Sequence, residues 1–214
     1  NPPNKKILWQ ADKADDLSAS ANLGVIYKVH PEIDITLNLA RSFRSPSLEE
    51  RYQFIELGGA TYLGDPNLDP EKGTFIDLGF RVWKDRLNVA GNIFVNYLND
   101  MVIDEFRNDS LYVKNNVGKA RLYGFDFSVD YNFYKNANIY STIAYVRGED
   151  TENDVSLPQI PAINGSIGLT YEICELINAD FRMYFASDQK KVAAGENETA
   201  GYAIYNFYLT SLPI

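Results

Sequence analysis

In 214 residues the sequence has one cysteine and one histidine. Cys174 alone can neither close an internal disulfide nor supply a cysteine-rich metal site, and it reads as a lone thiol near a turn. His30 stands in a short turn before Pro31. No Ser-His-Asp set and no histidine metal cluster can be built around it. Glu49 and Glu50 are adjacent in a polar stretch and read as a solvated pair, and no glycine-rich phosphate cradle is present. The chain is therefore expected not to be an enzyme, with no cofactor and no metal. Positive charge is also scarce: 20 Lys and Arg against 29 Asp and Glu give a net charge of -9 and a pI near 4.7. Without a basic stripe to displace counterions from phosphates, nucleic acid is excluded as a partner. No apolar run approaches the roughly 20 residues of a spanning helix. The opening residues, Asn1 to Lys6, have no basic-then-apolar leader. The chain is expected to begin inside a longer protein.

What is abundant is aromatic: 15 Tyr and 12 Phe, with 14 Gly. These sit in a repeated period of two. Leu17, Ala19, Ala21, Leu23, Val25, Tyr27 and Val29 alternate with polar or small residues, and after His30 to Glu32 so do Ile33, Ile35, Leu37, Leu39 and Phe43. The same pattern returns at Thr74 to Trp83, Leu87 to Leu98, Tyr123 to Tyr131, Ile139 to Arg147, Ile163 to Tyr171, Ile177 to Phe185 and Tyr202 to Leu209. Period two with one apolar face means strands, about nine of them. Leu48 to Leu57 admits a helical turn.

The connections alternate between short (His30 to Glu32, Lys84 to Arg86, Asn132 to Ala137, Glu172 to Glu175) and long (Ser45 to Gly73, Asn99 to Asn116, Gly148 to Pro161, Ser187 to Gly201). A soluble sandwich has no reason to place every long loop at one end. A membrane barrel does, with short turns on one side and long loops on the other. Strands of about ten residues suit a tilted crossing. Tyr27, Phe43, Tyr97, Tyr131, Tyr171 and Phe185 lie near strand ends, where interfacial girdles belong. The predicted fold is all-β: an antiparallel up-and-down meander forming part of a transmembrane β-barrel. A soluble β-sheet binding module and a passive porin-like barrel are the alternatives.

Four short stretches carry a family resemblance. They are Asn38 to Tyr52, with Phe43-Arg44-Ser45-Pro46; Gly64-Asp65-Pro66-Asn67-Leu68-Asp69-Pro70-Glu71; Asn116-Val117-Gly118-Lys119-Ala120 followed by Tyr123-Gly124-Phe125-Asp126; and Leu157-Pro158-Gln159-Ile160-Pro161 with the later Gly201-Tyr202. In this order they resemble TonB-dependent outer-membrane receptors, in the C-terminal part of the barrel domain. Asp126 stands where that family usually has Glu. Porins and autotransporters lack this order.

The resemblance implies a complete barrel of about 22 strands around a plug, and nine strands cannot close a lumen that wide because diameter grows with strand number. It also implies TonB and the plug domain as partners, outer-membrane lipid around the wall, the outer membrane of a Gram-negative bacterium as the location, and TonB-energised uptake of a scarce nutrient. The extracellular ligand would be a metal chelate such as a ferric siderophore, or haem or cobalamin. Residues 1–214 are then expected to be a fragment of the barrel domain, without the plug and the final strands. Arg44, Arg51, Tyr52 and Tyr62 are the candidate ligand-binding residues, and Arg107, Tyr112, Lys190 and Lys191 are further loop groups suited to an anionic or aromatic ligand. Gly124 is expected to leave backbone room on the lumen face, and Cys174 to lie at the periplasmic rim.

Overall fold

A computed structural model describes Trp9, Leu17 and residues 19–211. The expectation for Asn1 to Lys6 falls outside these residues. The described chain forms one sheet of 12 strands and a five-residue helix. In order they are β1 (Ala21–His30), β2 (Ile33–Arg44), α1 (Leu48–Tyr52), β3 (Phe54–Leu57), β4 (Ala60–Leu63), β5 (Glu71–Lys84), β6 (Leu87–Asn108), β7 (Leu111–Tyr134), β8 (Ala137–Asp150), β9 (Val155–Ser156), β10 (Asn164–Cys174), β11 (Ile177–Ala186) and β12 (Tyr202–Ser211). Nine of them form the wall, in the order β1-β2-β5-β6-β7-β8-β10-β11-β12, every pair antiparallel. These nine are the nine read from alternation. The sheet is open, with β1 and β12 at its edges.

Register explains why the alternation matters. Val25, Leu37, Leu78, Ile93, Phe125 and Tyr145 are successive partners across six strands, and Tyr27, Ile35, Phe80, Gly91, Phe127 and Ile143 form the next row. A slip of one residue would send each strand's apolar set to the opposite face, so the shared apolar face fixes the pairing. Among the described residues only Leu68, Ala120, Ala137 and Leu157 are buried apolar groups, while Leu23, Leu78, Ile93, Phe181 and Phe207 stand exposed. A single layer with no core beneath it overturns the soluble sandwich, which needs a second sheet packed on the first. The apolar face instead requires an apolar surrounding.

The opposite face is polar and internally bonded. Asn38 donates to Asp77 (3.1 Å), Asn138 to Asp130 (3.0 Å), and Asp180 accepts from Thr170 (2.9 Å) and Tyr140 (2.9 Å). Arg182 Nε donates to the Tyr140 hydroxyl at 2.6 Å. Gly124 belongs to this face, and a Cβ there would collide with the Tyr145 carbonyl oxygen and meet Phe94 Cζ at 2.9 Å. The room expected of Gly124 is therefore a packing requirement.

At one end all four connections are two-residue turns, Pro31–Glu32, Asp85–Arg86, Lys135–Asn136 and Glu175–Leu176. Three of them adjoin a register shift that absorbs an extra residue. Cys174 ends β10 beside the last turn and is exposed. At the other end the structure departs from three sequence expectations. The first strand begins at Ala21, with Leu17 fully exposed ahead of it. Asn99 to Asn116 is a continuation of the β6–β7 ladder, which stays paired to Asn108↔Leu111. Its polar and apolar residues are mixed on both faces, so pairing continues where apolar alternation has stopped. Gly148 to Pro161 likewise begins in β8 and folds back through β9.

Candidate functional site at the mouth of the sheet

The long connection between β2 and β5 folds into a compact body rather than a loose loop. Ser47 caps α1 by a capping box: its hydroxyl accepts from Glu50 N at 3.1 Å, and the Glu50 carboxylate accepts from Ser47 N at 2.8 Å. Gly58 and Gly59, at φ of +60° and +85°, make the two-residue turn between β3 and β4, a backbone shape that favours glycine.

Arg44, at the end of β2, forms a bidentate pair with Glu50 (2.8 and 3.0 Å) and a further bond to Glu71 at the start of β5. The Arg44 guanidinium holds the Glu50 carboxyl down at about 2, well below the ordinary carboxylate range. Arg51 is buried at 5% exposure, and its guanidinium donates to the Pro66 carbonyl at 2.7 Å. Gly64 N donates to Gln53 O (2.9 Å) and Asp65 N to Glu50 O (3.2 Å). The two adjacent motifs, Phe43 to Pro46 and Gly64 to Glu71, thus occur together because each holds the other.

The third motif joins them. Asn116 on β7 accepts from Asp69 N (2.9 Å) and donates to Asp69 O (3.0 Å) and Asp100 O (2.5 Å). One side chain therefore ties the β2–β5 body to the raised β6–β7 hairpin. A second tie is the parallel pairing of β4 with β7 at Thr61↔Leu111, Tyr62↔Tyr112 and Leu63↔Val113. In that pairing Tyr62 stacks on Tyr112, with centroids 4.9 Å apart and planes at 12°, and Phe106 leans on Tyr112 at 5.4 Å. Phe106 is 58% exposed. It completes a row of three rings.

The four candidates are thus not one cluster. Arg44 and Arg51 are engaged with the chain itself, Tyr52 lies edge-on to Trp9 at 6.1 Å, and Tyr62 belongs to the aromatic row. Of the further loop groups, Tyr112 joins Tyr62, Arg107 pairs with Glu105 at 2.9 Å, and Lys190 pairs with Asp188 at 3.6 Å. Sequence reading missed Phe106, whose pattern there gives no sign of a paired strand. It also missed Asn116 as a clamp, although the residue stood inside a recognised motif.

A profile of the family described as TonB dependent receptor-like, beta-barrel matches residues 3–213. The chain belongs to this family. Among solved structures, the copper transporter OprC superposes with a TM-score of 0.78 at 21% identity, over 88% of this chain and 30% of that one. A ferric enterobactin receptor (PfeA) mutant from Pseudomonas aeruginosa gives 0.72 at 15% identity over 88% and 32%, and the siderophore receptor PirA from Acinetobacter baumannii gives 0.70 at 15% over 89% and 34%. At such identities these likenesses establish the fold. The chain spans about a third of the length of these receptors. A comparison with curated protein sequences gave no match.

Proposed function

We propose that this chain is part of the barrel wall and mouth of an outer-membrane receptor for TonB-energised uptake of a scarce nutrient, in the class of ferric siderophores, haem or cobalamin. The observation that carries the reading is one sheet with a continuous apolar face, a bonded polar face and a folded mouth at one end only. The apolar face meets hydrocarbon, where each strand's backbone groups are satisfied by its neighbours. The polar face lines the lumen, which a plug domain fills, and the plug answers to TonB. The long connections face the cell exterior.

Within the mouth, ligand contact falls to Tyr62, with Tyr112 and Phe106, because a row of flat rings, Phe106 exposed and the two tyrosines half-buried, offers a stacking surface to an aromatic or conjugated chelate. Arg44 and Arg51 serve the site by holding its walls in place, and Tyr52 flanks them. The test uses the full-length receptor in cells starved of iron, following accumulation of radioactive iron from candidate chelates, and separately of haem and cobalamin. TonB-dependent uptake of one of them is the expected result, with Tyr62→Ala weakening binding about tenfold and Arg51→Lys lowering the amount of folded receptor. Uptake indifferent to TonB, or to loss of the receptor, overturns the reading.

A further inference from the structure

The apolar face changes character abruptly toward the mouth. The row Leu37, Leu78, Ile93, Phe125 and Tyr145 carries no charge. One row closer to the mouth, Leu39, Ile76, Val95 and Tyr123 end in Arg147. The row after that runs Arg41, Thr74, Tyr97, Arg121 and Glu149, and the next contains Lys72 and Lys119. Arg41, Lys72, Lys119, Arg121 and Arg147 thus form a band on one face, directly above the apolar rows.

The carboxylates beside the band are too few to neutralise it. Glu149 serves both Arg121 (2.8 Å) and Arg147 (3.2 Å). Lys72 reaches Asp100 only at 3.7 Å, both part-exposed, and Lys119 reaches Glu152 only at 3.9 Å, both exposed. Such pairs hold their partners weakly. Arg41 is exposed and makes no ion pair with another described residue. Five cations against three carboxylates leave a local positive surplus in a chain whose net charge is -9. The same face at the turn end carries Val82, Leu87, Tyr131, Ile139 and Tyr171, apolar and aromatic apart from Lys84 opposite Leu87. A cation band at one boundary only, among the tyrosines Tyr97 and Tyr123, has the chemistry of a headgroup contact, with guanidinium and ammonium groups placed for phosphate oxygens.

We propose that this band is a docking surface for phosphate-bearing lipid headgroups of the leaflet next to the mouth. The proposal rests on the membrane-facing reading of the apolar face. It is tested with the full-length receptor in detergent micelles, by native mass spectrometry of lipid retained from equal mixtures of phosphatidic acid and phosphatidylcholine. The wild type should retain phosphatidic acid in preference. Arg41→Gln with Lys119→Gln removes two charges that make no close ion pair, and should lower that preference on the order of tenfold. Lys28→Gln with Arg81→Gln removes the same charge from the polar face and should leave the preference intact. Equal effects of the two pairs, no preference in the wild type, or displacement of the lipid by millimolar inorganic phosphate overturns the proposal. Membrane fractionation of the wild type separates the two levels of failure. Absence from the outer membrane overturns the underlying function, while presence there with equal behaviour of the pairs overturns the band alone.

Discussion

The wall and the mouth are built by different physics from the same strands. In the wall each residue's position follows from its neighbour two places along and from the adjacent strand, as in the row from Val25 to Tyr145. In the mouth, stability comes from polar side chains that reach far along the sequence, such as Arg44 to Glu71 and Asn116 to Asp69. The wall is specified by repetition, and the mouth by a few contacts without substitutes.

The largest effect should come from violating the wall's packing. Gly124→Val places a side chain against the Tyr145 carbonyl and Phe94, where backbone cannot yield cheaply, and is expected to cost at or above about 3 kcal/mol. The folded, heat-modifiable band on a gel should disappear. Next is Leu78→Arg, which puts a charge in the uncharged row of the apolar face. A cost of about 2–4 kcal/mol is expected from denaturant titration in lipid vesicles, and a cost near zero would show that this face is not in hydrocarbon.

In the mouth, Asn116→Ala removes three hydrogen bonds while leaving the wall untouched. It should destabilise by about 1–3 kcal/mol, read as faster proteolysis in the Asp69 and Asp100 segments with the barrel intact. The smallest effect concerns acid. The Glu50 carboxyl is depressed to about 2 in the fold, so its contribution is fully present above its ordinary carboxylate value of 4.5. It is lost as pH falls from there through about 2. Hydrogen exchange in α1 should rise over that window, and Glu50→Gln should abolish the pH dependence. If wall and mouth respond alike to all four perturbations, the division between them is wrong.

This division also explains what was legible beforehand. All nine wall strands showed in the alternation because one face is uniformly apolar over many residues. The ladder from Asn99 to Asn116 did not, since its apolar residues do not keep to one face and the cross-strand bonds of Lys114 to Asp104 and Asn115 to Glu105 leave no alternation to read. The opposite error occurred at Leu17 and Ala19, where a short alternation extends beyond the paired strand. For Arg44 and Arg51 the sequence displays a charge but not the Glu50, Glu71 and Pro66 groups that use it. A lone cation in a loop therefore resembles a ligand site until its partners are located. The recognised motifs pointed to the right segments, and their purpose became visible only when they proved to contact one another.

The parallel strip between β4 and β7 bears on how such mouths diversify. Each long connection in this chain leaves and returns through neighbouring wall strands, so a loop that touched nothing else would bring its own closure when exchanged. The β2–β5 body and the β6–β7 hairpin do not have that freedom, because they share the strip, the Tyr62–Tyr112 stack and the Asn116 clamp. They constitute a single heritable unit. A chimera that imports one from a relative must import the other, and the connection between β11 and β12 is matched in the same way to the one before β10, through Gln189 to Ile160 and Glu196 to Gln159.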